Sequence, residues 1–349
     1  MSYLIFNMIA TRYKYALIDM SYILYRNAFA ASSGKGVGEY GTPDIIRITI
    51  QTINKCARDY GITADKYIFL YDKWDRVLGG YYRTYVLKGL YKDDRKKNYV
   101  SEEDVENMKK DPTTDPKALE EAEKKLYFNK VCKDAKWTMV RELKNFGLPS
   151  LGVEGWEFDD LAWLSACLLY DDSGAPVKPS VIITKDSDLM YSLTPQMEYF
   201  KIPTGGSSPK IITYDEMYQT IPADLQGKVS LYDYRALHES LGDGHNNMRG
   251  TKKNGVNTED AIRHIIMGDY SDVEDLEGFK TRMSTFNLGN FPRFEEAKRV
   301  VLDLFSTVGR LGTLAEFRSF CEKYGIEKIS DRYFTEFISR FDPKLFSER

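Results

Sequence analysis

Three short apolar runs, YALI at 15–18, YIFLY at 67–71 and VIIT at 181–184, are each followed by acidic residues within four positions. This repeated strand-then-acid pattern constrains the fold more than any other feature. Continuous apolar runs of this length read as strands buried on both faces, as in a parallel sheet. Helical periodicity fills the chain between them. The segment IIRITIQTINKCARDYG ends in Gly61 and VCKDAKWTMVRELKNFG ends in Gly147, each a helix closed by glycine. A third helix runs from Asp159 to about Tyr170, with acids at its positive end. The expected class is α/β, a mostly parallel central sheet flanked by helices, and in such sheets ligands gather at the carboxyl ends of the strands.

The 349 residues suit about two domains. The expected division is an α/β domain over 1–220, with an insertion at about 83–130, and a helical region over 221–349. The insertion is charge-segregated: 83–100 holds six basic and two acidic residues, and 101–125 holds nine acidic and five basic. Such a block reads as exposed and too polar for the core. IPTGGSSPK at 202–210 reads as a loop or hairpin tip.

The net charge is -3, so a nucleic-acid partner does not follow from the overall charge and any basic footprint has to be local. The 25 Tyr and 18 Phe suit base stacking or a filled core equally well. Four scattered cysteines without a C-x-x-C pair, and only three histidines, argue against structural zinc and for a reducing compartment. The opening MSYLIFNMIA lacks the basic start and cleavage site of a signal peptide and reads as an extension, with Met8 as an alternative start. No apolar run reaches the ~18 residues of a membrane span, and the expected location is cytoplasmic.

The acids carry the chemistry. Asp19 and Asp72 directly follow their strands, Asp186 and Asp188 follow VIIT by two and four residues, and Glu157, Asp159 and Asp160 open the third helix. The single residue between Asp186 and Asp188 suits two carboxylates on one side of an extended segment. Asp243 lies in the glycine-flanked LGDGHNN. Taken singly, an Asp after a strand is more often a turn or cap residue. Together they would converge on one sheet edge, where two carboxylates ~4 Å apart repel by roughly 4 kcal/mol at an effective dielectric of 20. Such a pocket needs cations. Mg²⁺ and Mn²⁺ favour oxygen ligands, and two ions roughly 4 Å apart serve phosphodiester hydrolysis without a His or Ser nucleophile.

In this order, LIDMS, YDKWDR, EFDDLA, TKDSDL and LGDGHNN resemble the acidic motifs of the 5′-nuclease (flap endonuclease) family. The likeness spans most of residues 15–266. It implies that Asp19, Asp72, Glu157, Asp159 and Asp160 organise a first metal ion, and that Asp186, Asp188 and Asp243 mainly serve a second. The family usually carries D-x-x-D-N in the last motif, whereas Asn246 stands three positions after Asp243 here. An amide oxygen can coordinate Mg²⁺ but brings no charge. LYKDDR resembles the YKxxR element at the base of the family's helical arch. Lys92 and Arg95 would then contact the scissile phosphate as catalytic residues, Tyr91 would stack on the terminal base, and Arg83 would touch the backbone. A solvated basic face is the bland alternative for this block. The loop NNMRGTKKNGV before NTEDAIRHII is similar to the family's helix-three-turn-helix, with Gly250, Lys252, Lys253 and Gly255 as duplex-phosphate contacts.

The resemblance implies a Mg²⁺-dependent 5′-to-3′ exonuclease or flap endonuclease, with Mn²⁺ able to substitute. Its partners would be 5′-flapped or nicked DNA and RNA:DNA hybrids, its setting RNA-primer removal in DNA replication, and its neighbours a single-strand-binding protein or sliding clamp. It would act as a monomer. Two rivals stand beside it. A binding-only homologue is suggested by Asn246, although acids that repel phosphate would not serve it. A single-strand ribonuclease of the PIN class would be shorter and lack the helix-three-turn-helix.

Overall fold

The computed structural model describes residues 11–87, 100–146, 149–170, 178–203, 207–242, 250–306 and 313–326. Six strands form one sheet: β1 (Tyr13–Asp19), β2 (Ala64–Leu70), β3 (Ser150–Leu151), β4 (Ser180–Thr184), β5 (Met197–Lys201) and β6 (Lys210–Ile212). Their spatial order is β3-β2-β1-β4-β5-β6. Every neighbouring pair is parallel except β5 with β6, which is antiparallel; of the loop or hairpin tip expected at 202–210, residues 204–206 lie outside the described residues.

All three apolar runs therefore become central strands. Alternate residues face opposite sides, as the two-residue repeat of a strand requires. Ala16, Ile18, Tyr67, Phe69, Val181 and Ile183 point into one core, and Leu17, Ile68, Leu70 and Ile182 into the other. Both faces are apolar because both are covered. The first core is covered by α1 (Met20–Ser32), α2 (Thr42–Tyr60) and α5 (Pro116–Glu142), with Phe317 and Phe320 of α12 (Leu314–Lys323). The second is covered by α6 (Phe158–Leu169), α8 (Leu231–Gly242), α9 (Thr258–Ile266) and part of α11 (Phe294–Ser306). Packing is thus continuous across residue 220, and the helical part shares the core of the sheet's second face.

Local chemistry sets the helix ends. Gly61 closes α2 at φ 66°, a left-handed cap that glycine adopts without strain. α5 is longer than VCKDAKWTMVRELKNFG suggests: Asp115 caps it through the Lys117 N–H at 3.0 Å, it runs 27 residues, and a 3₁₀ turn (Leu143–Phe146) follows. Gly147 lies outside the described residues. The acidic half of the insertion is therefore helix, comprising α4 (Glu102–Lys110) and the start of α5, with Val105 and Ala122 as its buried contacts. Most of the basic half lies outside the described residues beyond the short α3 (Tyr82–Val86).

At its carboxyl end α8 demands glycine. Gly242 has φ 122°, and a Cβ there would stand 2.4 Å from the Cα of Gly250. The two glycines let the end of α8 and the backbone at Gly250 approach closely, and the Thr251 N–H donates to Leu241 O at 3.0 Å.

Candidate active site

Strand order reverses between β1 and β4, so a crevice opens outside their carboxyl ends, the usual ligand site of an open α/β sheet. The register brings the acids there. Asp19 pairs with Leu70, two residues before Asp72, and Ile18 pairs with Ile183, three residues before Asp186.

Asp19 ends β1, caps α1 by accepting from the Tyr22 N–H at 2.8 Å, and accepts from Thr184 Oγ1 at 2.9 Å. It is almost fully buried. Burial, then the charge of Asp72 and more weakly that of Asp159, push its carboxyl well above the ordinary range, against those two hydrogen bonds. Asp72 accepts from the Phe158 N–H at 2.6 Å, so the first amide of α6 aims the acid of β2. Asp186 is not in an extended segment with Asp188, as the spacing suggested. It caps a 3₁₀ turn (Ser187–Ser192) by accepting from the Asp188 N–H at 3.2 Å. The side chain of Asp186 is open to solvent on one side, yet burial of its carboxyl in the crevice, then Asp159 and Asp188, push that carboxyl up to about 6.

Five of the expected acids thus share the crevice: Asp72 and Asp159 lie close enough to raise the proton affinity of Asp19, and Asp159 and Asp188 that of Asp186. Glu157 and Asp160 stand behind them, both buried. Asp160 accepts from the Glu157 N–H at 3.1 Å and forms an ion pair with Arg83. Burial pushes its carboxyl up despite the Arg83 charge. That pairing corrects the expected backbone contact for Arg83: the side chain is 2% exposed, and its guanidinium lies over the Phe286 ring at 5.2 Å. A cation so placed is sealed from a surface ligand, because Asp160 inside is its counter-charge.

Sequence reasoning missed two cations. Lys136 of α5 donates to the main-chain carbonyl of Asp72 at 2.7 Å; burial lowers its pKa, while Asp72 and Asp19 oppose that. It also lines a cleft of about 840 Å³ with Ser21, Tyr25, Tyr81, Lys133 and Trp137. Arg235 of α8 is buried, with its Nη2 at 3.7 Å from Asp159 Oδ2 and 3.8 Å from Asp188 Oδ2. An Arg four residues before a Glu, with Tyr, Ala and Leu between and beside them as in YRALHES, was the available signal for a buried pair.

Tyr91, Lys92, Arg95, Asp243 and Asn246 lie outside the described residues. Gly250, Lys252, Lys253 and Gly255 form the turn between α8 and α9. Lys253 and Gly255 are exposed, Gly255 has φ 82°, and Lys252 is partly tied down by a 2.9 Å bond to Val256 O.

Among the described residues, no three acidic, histidine or cysteine side chains stand close enough to enclose an ion by themselves. The donors are nevertheless all oxygen, all of one sign and partly withdrawn from water. This combination fits a hard divalent ion that keeps several of its own waters and touches only one or two carboxylates directly, and it does not fit a dry closed cage. No helix among the described residues is long and apolar enough to cross a membrane, and all four cysteines are free.

No protein-family model matches the chain, and no curated protein matches it by sequence. Solved structures do match. Each likeness is one of fold. A bacteriophage T5 protein co-crystallised with metal ions shares 19% identity over 89% of this chain and 98% of that one, at a TM-score of 0.48. A bacteriophage T5 flap endonuclease variant, in a pseudo-enzyme-product complex with DNA and metal ions, shares 17% over 94% and 99%, at 0.46. The catalytic core of Rad2 in complex with a DNA substrate shares 14% over 94% and 93%, at 0.44.

Proposed function

We propose that this chain is a divalent-metal-dependent 5′ nuclease of the flap endonuclease type, hydrolysing phosphodiesters near the 5′ end of flapped, nicked or RNA:DNA substrates. One observation carries the reading: Asp19, Asp72, Asp159, Asp186 and Asp188, drawn from three strand ends and a helix start, crowd one crevice at the point where the strand order reverses. Crowding like charges costs stability, and a site that retains them gains by binding cations.

Asp19, Asp72, Asp159, Asp186 and Asp188 would hold the ions, with Asp243 and Asn246 as further donors from the sequence resemblance. Bound Mg²⁺ or Mn²⁺ would supply charge neutralisation at the phosphodiester and an acidified water. The chain's own groups do the rest. Thr184 and the Tyr22 N–H fix the Asp19 carboxylate, and the Phe158 N–H fixes Asp72. Lys92 and Arg95 would bind the scissile phosphate and offset charge that develops on it. Tyr91 would stack on the terminal base, and the turn Gly250–Gly255 would present backbone amides and Lys253 to duplex phosphates.

Within the family, the quoted motifs most resemble those of the RNase H of T-even bacteriophages, a 5′-to-3′ exonuclease. RNA-primer removal in phage DNA replication, in the host cytoplasm, is the corresponding role. The deciding experiment is a digest of a 5′-labelled flap, a nicked duplex and an RNA:DNA hybrid with and without Mg²⁺. Short 5′-phosphate products that appear only with Mg²⁺ support the reading. Retention of substrate without cleavage would favour the binding-only homologue.

A further inference from the structure

We infer that Arg235 is an internal counter-cation of the acidic crevice: a positioning residue that holds Asp159 and Asp188 together before ions bind and sets how tightly the crevice takes them. The inference rests on the nuclease reading above.

Its geometry is unusual for a structural ion pair. A single nitrogen, Nη2, stands almost equally far from two carboxylates contributed by different elements, 3.7 Å from Asp159 Oδ2 at the start of α6 and 3.8 Å from Asp188 Oδ2 in the turn after β4. Both distances exceed a hydrogen bond, so the attraction between Arg235 Nη2 and the two carboxylates is Coulombic. The firm contacts of the guanidinium lie elsewhere. Nε donates to Glu239 one turn along α8, and Nη1 donates to the main-chain oxygen of Asp188 at 3.2 Å. Glu239 and the main chain thus fix the fork, and Arg235 faces both carboxylates from a set position. Arginine suits this task because its planar fork divides donors between anchor and shared partner and stays charged when buried.

The side chain is 4% exposed, so little water screens it from the acids. Asp186 is repelled by Asp159 and Asp188 and is drawn the other way by Arg235. Two consequences follow from one positive charge. It offsets part of the repulsion in the ion-free protein, and it opposes a divalent ion bound by the same carboxylates.

The test is Mg²⁺ titration by calorimetry, with thermal melting in EDTA alongside. Arg235→Met keeps the packing stem and removes the charge. It is expected to bind Mg²⁺ at least about fivefold more tightly, the effect of one unit charge at ~4 Å even in a fully aqueous dielectric, and to melt lower than the native protein in EDTA. A role limited to packing α8 would lower the melting temperature without tightening Mg²⁺. Glu239→Gln supplies the opposite arm and decides the matter if Arg235→Met does not fold. Removing the anchor charge leaves the guanidinium less neutralised, so Mg²⁺ binding should weaken at least twofold, on the order of one partly screened charge. Unchanged or weaker binding in Arg235→Met, or unchanged or tighter binding in Glu239→Gln, overturns the inference. In either case, native protein that still binds Mg²⁺ and cleaves leaves the nuclease reading standing. Native protein that binds no Mg²⁺ removes both.

Discussion

The main-chain N–H of Phe158 donates a 2.6 Å hydrogen bond to Asp72 Oδ1. This bond joins two acidic motifs 86 residues apart in the chain, and it explains why α6 begins with Glu157, Asp159 and Asp160 where it does. The helix start supplies an amide and a positive dipole end to the acid of β2, and in the same turn places Asp159 within electrostatic reach of Asp19. Substituting Asp72 therefore removes a cap as well as a carboxylate. Asp72→Ala should lose cleavage and about 1 kcal/mol of stability, the usual cost of a helix cap, whereas Asp72→Asn should lose cleavage and keep most of that stability. Equal melting temperatures for the two variants would mean that the bond does not act as a cap.

Charge crowding makes the ion-free protein sensitive to pH. The Asp186 carboxyl is pushed up to about 6 from 3.8, and Asp19 is raised as well. A carboxyl with a higher proton affinity in the folded than in the unfolded state destabilises the fold above its folded pKa and relieves that cost as protons bind. In EDTA the melting temperature should rise as pH falls from 8 toward 5, and millimolar Mg²⁺ at pH 8 should restore it. A melting temperature that falls steadily over that pH range in EDTA would count against the crowded crevice.

Asp188 is half-open to solvent and shares Arg235 with Asp159. Asp188→Asn should cut single-turnover cleavage on the order of 10²–10³-fold or more, while DNA binding and the far-UV circular dichroism spectrum stay native. Full activity would remove Asp188 from the site.

Lys92 belongs to the proposed phosphate clamp. Lys92→Ala should slow single-turnover cleavage about 100-fold and weaken DNA binding much less, the pattern of a group that acts mainly in the transition state. A rate equal to the native one would return Lys92 to the solvated surface.

Gly242→Ala tests the closure of α8. The new Cβ would meet Gly250 Cα at 2.4 Å with φ at 122°, so neither backbone nor side chain can yield cheaply. A loss of roughly 2–3 kcal/mol is expected from chemical denaturation, with weaker Mg²⁺ binding because Asp243 follows directly. An unperturbed unfolding midpoint would show that the turn has an alternative path.

Much of this was legible in the sequence, for physical reasons. β1, β2 and β4 showed as unbroken apolar runs because both of their faces are buried, and the acids after them were placed by sheet topology alone. β3 is two residues long and owes its existence to pairing with Phe69 and Leu70, so no periodicity could announce it. β5, MEYFK, mixes buried and half-buried positions and looks like neither repeat. Arg83 misled because it opens a basic block, whereas its partner, Asp160, lies 77 positions away. For Arg235 only the pair with Glu239 had a local signal, its shared carboxylates coming from two other segments. Spacing alone also could not show that Asp186 and Asp188 share a turn, since a cap and an extended strand both tolerate D-x-D.

The central claim is that acids scattered from Asp19 to Asp188 form one cation-binding crevice. An anomalous difference map from crystals soaked in Mn²⁺ tests it most directly. The account predicts peaks between the carboxylates of Asp19, Asp72, Asp159, Asp186 and Asp188, outside the ends of β1 and β4. A map with no peak in that crevice, at Mn²⁺ concentrations that support cleavage, would contradict it.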